Sequence, residues 1–277
     1  MLPGETACGR GLSGKELRLG RLFSSPSGRA LIVPIDHSVT LGPLGRHDHA
    51  DRTAATLATA GADAIVVHKG RARTIAAHRF GRLGLVVHLS AGTSMALDDT
   101  SKVLVSSVEE ALCLGADAVS VHVNVGSPSE PQQLADLGAT AHACDRLGMP
   151  LLAMMYARGP AIAESRSVRT LAHLAAIATD LGADVVKVDY SGDPAAMAEV
   201  VGSCPLPVLA AGGPTAPDDD AAIAFGIEVS RSGVAGLSFG RQIFGAHEPE
   251  RVARALADHL HGLTTPPRND TPALEFA

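Results

Sequence analysis

The stretch Gly182-Ala183-Asp184-Val185-Val186-Lys187-Val188-Asp189-Tyr190-Ser191-Gly192-Asp193 sets a lysine inside a β-branched run. Val185 to Val188 predicts a short buried strand. The chain has only four lysines, Lys15, Lys69, Lys102 and Lys187, among 23 lysines and arginines. An apolar strand is where an ammonium is least tolerated, because an unpaired buried charge is expensive. Such a group either finds a partner or gives up its proton, and a lysine that gives up its proton is a nucleophile towards carbonyls. Two readings of Lys187 compete: a side chain that snorkels from a strand end or pairs with Asp189, and a reactive amine.

Outward from this stretch, its opening motif recurs. Gly61-Ala62-Asp63-Ala64 and Gly115-Ala116-Asp117-Ala118 match Gly182-Ala183-Asp184-Val185, with a looser copy at Gly233-Val234-Ala235-Gly236. Each copy follows a helical pattern and leads into a strand, and glycine just past a helix takes the left-handed conformation. Strands are predicted over Ala30-His37, Ala64-Lys69, Leu85-Ser90, Ala118-Asn124, Leu151-Tyr156, Val185-Tyr190, Pro207-Ala211 and Gly236-Phe239. Helices are predicted over His49-Ala60, Arg71-Phe80, Val108-Leu114, Pro131-Leu147, Val168-Leu181, Pro194-Val201, Asp218-Ser230 and Pro249-Leu260. Near-continuous apolar strands alternating with amphipathic helices predict a parallel sheet covered by helices. Eight such units with an internal repeat favour an α/β fold of one kind, a single (β/α)8 TIM barrel. An open doubly wound sheet should show a GxGxxG turn after the first strand, and none is there. The expected organisation is an N-terminal extension and helix over 1–22 with Ser13 as N-cap, a barrel domain over 23–262, and a flexible tail over 263–277.

Composition narrows the function classes. A chain of 277 residues with 46% apolar and 19% charged residues buries a large core. A net charge of −6, with 3% aromatics and no tryptophan, argues against nucleic-acid binding. No apolar run is long enough to span a bilayer, and Met1 to Gly20 lacks an apolar signal core, so the expectation is a cytoplasmic protein with no membrane partner. Cys8, Cys113, Cys144 and Cys204 are far apart with no CxxC pair, which predicts reduced thiols.

In a barrel the active site lies at the C-terminal ends of the strands. Those ends read Asp36-His37, His68-Lys69, His88-Leu89-Ser90, His122-Val123-Asn124, Tyr156 then Arg158, Lys187 with Asp189-Tyr190, Gly212-Gly213, and Gly240-Arg241. Polar residues gather on one rim. The glycines after strands seven and eight match the usual phosphate position, where bare amides approach an oxyanion and Arg241 adds a charged contact. The alternative is that they only make tight turns. His37, His68, His88 and His122 also admit a metal reading, but no HxH or HxxxH spacing joins them, and the expectation is no metal and no cofactor. His47, His49, His142, His173, His259 and His261 fall in helices or loops and read as surface residues. A strand lysine, a phosphate cradle and a strand-end tyrosine together point to class I aldolase chemistry, with Tyr156 and Asp36 placed for proton transfer.

The motifs Val33-Pro34-Ile35-Asp36-His37, Val121-His122-Val123-Asn124, Met155-Tyr156-Ala157-Arg158-Gly159, Val186-Lys187, Ala211-Gly212-Gly213-Pro214 and Gly240-Arg241-Gln242-Ile243-Phe244 resemble the archaeal-type class I fructose-bisphosphate aldolase family. The branch they most resemble is that of the heptulosonate synthases that use aspartate semialdehyde. The resemblance runs over roughly residues 15 to 262. It implies Lys187 as the Schiff-base lysine, Tyr156 as acid/base and Asp36 as a second acid/base near the substrate hydroxyls. It implies His37, His122, Asp189, Gly212, Gly213, Gly240 and Arg241 as substrate-binding residues, the glycines and Arg241 holding phosphate. The implied reaction joins dihydroxyacetone phosphate to L-aspartate 4-semialdehyde. Alternatives are a transaldolase-type 2-amino-3,7-dideoxy-D-threo-hept-6-ulosonate synthase, a fructose-bisphosphate aldolase, or a non-catalytic phosphosugar-binding protein. A homo-oligomer, as a ring or stacked rings, is implied by the same resemblance. The sequence departs from the family pattern at Val188-Asp189 and at the bulky strand-eight run ending in Phe239.

Overall fold

The computed structural model describes residues 13–43, 49–160 and 162–262. The predicted extension over 1–12, the tail from 263, Cys8 and His47 lie outside these residues. Eight parallel strands close into a barrel in chain order: β1 (Ala30–Pro34), β2 (Ala64–His68), β3 (Gly84–His88), β4 (Ala118–Val125), β5 (Leu151–Ala157), β6 (Val185–Asp189), β7 (Val208–Ala211) and β8 (Gly236–Ser238). Helices fill the connections and cover the outside.

Alternation along the strands sorts the core into two layers. Ile32, Val66, Val86, Leu152, Met154, Val185 and Leu209 pack together inside the barrel. Val33, Val67, Val87, Val186 and Val188 pack outward against the helices. The N-terminal helix α1 (Gly14–Leu22), capped by a Ser13–Glu16 capping box, turns Leu19 and Leu22 onto the inner cluster and closes the barrel floor.

The repeat has a structural role at that same floor. Gly61, Gly115, Gly182 and Gly233 have φ of +85°, +78°, +89° and +77°, the left-handed turn that ends each helix. The aspartates that follow reach back one strand. Asp63 Oδ2 accepts the Leu31 amide at 2.6 Å, Asp117 Oδ2 the Leu85 amide at 3.0 Å, and Asp184 Oδ2 the Leu151 amide at 2.8 Å. Each carboxylate thus satisfies an amide at the start of an odd-numbered strand.

The structure corrects several expectations. β1 ends at Pro34, so Asp36 and His37 stand on the loop beyond it. The helix predicted over Arg71-Phe80 is instead a single turn, Lys69–Ala72, and a 3₁₀ turn, Ala77–Gly81. Asp51 Oδ1 takes the Ala76 amide at 2.9 Å and its Oδ2 takes Arg79 at 3.2 Å, so tertiary contacts outbid a continuous helix there. A two-stranded antiparallel ribbon, Ser90–Ala91 with Val103–Leu104, was not predicted. His259 and His261 are half-buried ties rather than surface residues, bonded to Ser230 Oγ at 2.8 Å and Asp63 Oδ2 at 2.9 Å.

Candidate active site

Strand register sets the polar side chains in rows around the C-terminal mouth. His68, His88 and Ser120 stand level on β2, β3 and β4. One step higher, His122, Met154 and Lys187 stand level on β4, β5 and β6. Asp189 stands level with Ala211 on β7, itself level with Ser238 on β8. These rows surround a cavity of about 240 Å³. All ten residues singled out from the sequence, Lys187, Tyr156, Asp36, His37, His122, Asp189, Gly212, Gly213, Gly240 and Arg241, line it.

Lys187 is only 5% exposed. Among the described residues no carboxylate forms an ion pair with it, so the expected alternative of a Lys187–Asp189 pair does not hold. Period-two alternation explains why lysine sits in this strand. Val186 and Val188 face the helices, and Lys187 faces the cavity with Asp189.

Asp36 faces two imidazoles. Its Oδ2 lies 3.7 Å from His88 Nε2 and its Oδ1 lies 3.6 Å from His37 Nδ1. Burial alone would raise this carboxyl, but His88, His37, Lys187 and His68 outweigh it and hold it at about 2. Burial holds His88 down at about 4 against the pull of Asp36. The His88 ring is fixed by Ser120 Oγ at 2.8 Å. Three buried polar atoms among the described residues lack a hydrogen-bond partner: Asp36 Oδ1, His37 Nδ1 and Ser238 Oγ. All three belong to residues of this one cavity. Buried polar groups are nearly always paired, so this clustering marks places where a ligand would supply the partner.

Tyr156 contacts an imidazole and a guanidinium. The His122 ring lies 4.6 Å away, centroid to centroid, and the Arg158 guanidinium carbon lies 4.5 Å from the Tyr156 ring centroid. His122 Nε2–H donates to Asn124 Oδ1 at 2.8 Å. Burial first, and Arg158 next, keep His122 well below its ordinary pKa.

The opposite wall is glycine. A Cβ on Gly240 would meet the Pro34 carbonyl oxygen at 2.4 Å, so only glycine lets the end of β8 pass β1. Gln242 pins the neighbouring loop: its Nε2 donates to the carbonyls of Gly212 at 2.8 Å and Pro214 at 2.6 Å, and its Oε1 accepts the Ala216 amide at 3.0 Å. Arg241 follows Gly240 at the open rim.

The sequence reading did not single out Lys102, Ser238 or Gln242, and His68 and His88 entered it as polar strand ends and metal candidates, not as site residues. Nothing local marks Gln242 or Ser238, because their roles arise from residues on other strands. Lys102 carried one usable sign, the scarcity of lysine. Among the described residues no three His, Cys, Asp or Glu side chains converge to hold a metal ion. Phe239 is fully buried in the outer layer, stacked on Phe225 at 5.5 Å, so this departure from the family pattern lies outside the cavity. No described helix is long and apolar enough to cross a membrane.

Residues 30–246 match the family described as DeoC/LacD family aldolase. The chain is 48% identical over 251 residues to the 2-amino-4,5-dihydroxy-6-oxo-7-(phosphonooxy)heptanoate synthase of Streptomyces griseus, covering 91% of this chain and 92% of that one. It is 39% identical over 249 residues to the 2-amino-3,7-dideoxy-D-threo-hept-6-ulosonate synthase 1 of Archaeoglobus fulgidus, covering 90% and 92%. An archaeal fructose-1,6-bisphosphate aldolase, solved with its catalytic lysine covalently bound to the carbinolamine intermediate of the substrate, superposes with a TM-score of 0.82 at 27% identity, covering 90% of this chain and all of that one. Fold and kinship together define the class, a TIM-barrel aldolase. The chain belongs to the DeoC/LacD aldolase family.

Proposed function

We propose that this aldolase joins dihydroxyacetone phosphate to L-aspartate 4-semialdehyde through a Schiff base on Lys187. The observation that carries the reading is the buried, unpaired Lys187 facing the cavity beside Asp36. The neutral amine attacks the ketone carbon and water leaves, giving an iminium ion that acts as an electron sink. The adjacent carbon then loses a proton to a base, and the resulting enamine attacks the aldehyde carbon. The new alkoxide takes up a proton, and water returns to the iminium carbon to release the product and the lysine.

In this reading Tyr156 is the acid/base and Asp36, whose carboxyl is held at about 2, is the second acid/base group near the substrate hydroxyls. His37, His122 and Asp189 contact the same hydroxyls. Gly212, Gly213, Gly240 and Arg241 receive the phosphate, with bare amides and one guanidinium. Three carbons of the donor and four of the acceptor make up the heptanoate named for the Streptomyces griseus relative, which supports this acceptor. The chemistry asks for no metal, because the iminium ion already withdraws electrons. The division into 1–22, 23–262 and 263–277, a cytoplasmic location and a homo-oligomer, as a ring or stacked rings, complete the proposal.

Borohydride trapping tests it. Dihydroxyacetone phosphate plus borohydride should add the mass of the reduced ketone to the peptide containing Lys187, and Lys187→Arg should add none. Retained turnover in Lys187→Arg, or trapping at another lysine, would overturn the assignment.

A further inference from the structure

Lys102 is a second buried lysine on the same cavity, 7% exposed. Among the described residues no hydrogen bond or ion pair holds its ammonium. Asp98, Asp99 and Asp36 lie near enough to favour its charge, but none lies within pairing distance, and burial and then Arg158 push its pKa below the ordinary value. Leaving an ammonium in this state is costly unless something else supplies the counter-charge.

The position of Lys102 is built. It lies in the segment joining Ser90–Ala91 to Val103–Leu104. Two residues earlier, the Thr100 carbonyl accepts from Asn124 Nδ2 at 2.6 Å and Gln133 Nε2 at 3.1 Å, which ties this segment to the end of β4. Across the ribbon, a Cβ on Gly92 would lie 2.2 Å from the Ser101 carbonyl and 2.7 Å from Lys102 Nζ. The chain therefore packs the lysine over a bare glycine backbone.

Arg158 comes from the end of β5, exposed and unpaired with any described carboxylate, its guanidinium over Tyr156. Lys102 and Arg158 both bear on His122, whose ring lies 4.6 Å from that of Tyr156. They make a cationic wall beside β4 and β5. The glycine and Arg241 wall lies across the barrel, at β7 and β8, with Lys187 on β6 between the two. A cavity with cations at both ends and the reacting amine between them fits a pair of substrates whose outer ends are both anionic.

We infer that Lys102 and Arg158 form the subsite for the anionic end of the acceptor aldehyde, a carboxylate or a phosphate. This rests on the proposed reading in which Lys187 holds the donor and the glycine wall holds the donor phosphate. Binding the charged end far from the donor points the acceptor carbonyl at the enamine, so charge selects both the acceptor and its direction of entry.

The test holds dihydroxyacetone phosphate as donor and compares three acceptors: L-aspartate 4-semialdehyde, D-glyceraldehyde 3-phosphate and neutral D-glyceraldehyde. A lost charge-assisted contact corresponds to about a ten- to hundredfold change. In Lys102→Met the kcat/KM ratio of the favoured charged acceptor over D-glyceraldehyde should fall by that factor, carried mainly by KM. Arg158→Gln should lower the same ratio, and because Arg158 is exposed this variant keeps the test open if Lys102→Met does not fold. Ratios unchanged from wild type overturn the inference, as does a wild type that uses D-glyceraldehyde better than either charged acceptor. In both of those cases borohydride trapping at Lys187 still succeeds, which separates this failure from failure of the Schiff-base reading.

Discussion

Asp36 Oδ2 lies 3.7 Å from His88 Nε2, beyond hydrogen-bond distance. Asp36 is held at about 2 and His88 at about 4, so near neutrality the carboxylate is ionised and the imidazole beside it is neutral. At working pH Asp36 can accept a proton but holds none to donate at the outset.

Acid stability follows from the same pair. Folded, His88 resists protonation until about pH 4, whereas the unfolded chain takes up that proton near 6.5. Between those values the unfolded state binds more protons, so stability falls as pH falls, by up to about 1.4 kcal/mol per pH unit for one such group. Asp36 adds to the loss at lower pH: its stabilisation is present above 3.8 and disappears as pH falls towards about 2. Denaturant unfolding measured from pH 7 to pH 4 should show the decline, and His88→Asn should flatten it by up to one proton. An unchanged slope in His88→Asn would show that this imidazole titrates normally.

Tyr156→Phe keeps the ring contacts with His122 and Arg158 and removes the hydroxyl. Positioned acid/base groups contribute about 10²- to 10⁴-fold, so kcat should fall by that range. Borohydride trapping of the donor at Lys187 should persist. Turnover within a few-fold of wild type would remove Tyr156 from the proton transfers.

Arg241→Ala addresses the phosphate. Use of dihydroxyacetone phosphate relative to dihydroxyacetone, compared as kcat/KM, should weaken by about ten- to hundredfold. The unphosphorylated ketone lacks the partner and should be little affected. An unchanged ratio would make Arg241 a rim residue and move the phosphate elsewhere.

At the far end of the barrel, Asp184 accepts the Leu151 amide at 2.8 Å and pairs with Lys15 at 3.0 Å. Asp184→Ala leaves a buried amide without a partner and should cost about 1–3 kcal/mol. Because it lies at the closed floor, kcat/KM should be unchanged under conditions where the variant is folded. Lost activity with full stability would contradict its role as a strand tie.

Much of this molecule is local in origin and so legible from residues in order. The apolar runs mark the eight strands, the left-handed glycines mark the helix ends, and one lysine in a β-branched strand marks the position proposed to react, because period, turn chemistry and the cost of a buried charge act within a few residues. The gathering of His122, Tyr156, Lys187 and Asp189 at one rim follows from that alternation once the strands are parallel, while Asp36, His37 and Arg241 reach the same cavity from the segments that follow their strands. What tertiary structure alone decided depends on pairs far apart in the chain. Asp51 breaking the helix predicted over Arg71-Phe80, the repeat aspartates reaching back to Leu31, Leu85 and Leu151, Gln242 pinning Gly212, and Lys102 packed over Gly92 all require the closed barrel first. Barrel closure brings those partners together, and no spacing within a single strand or helix encodes which residue waits on the other side.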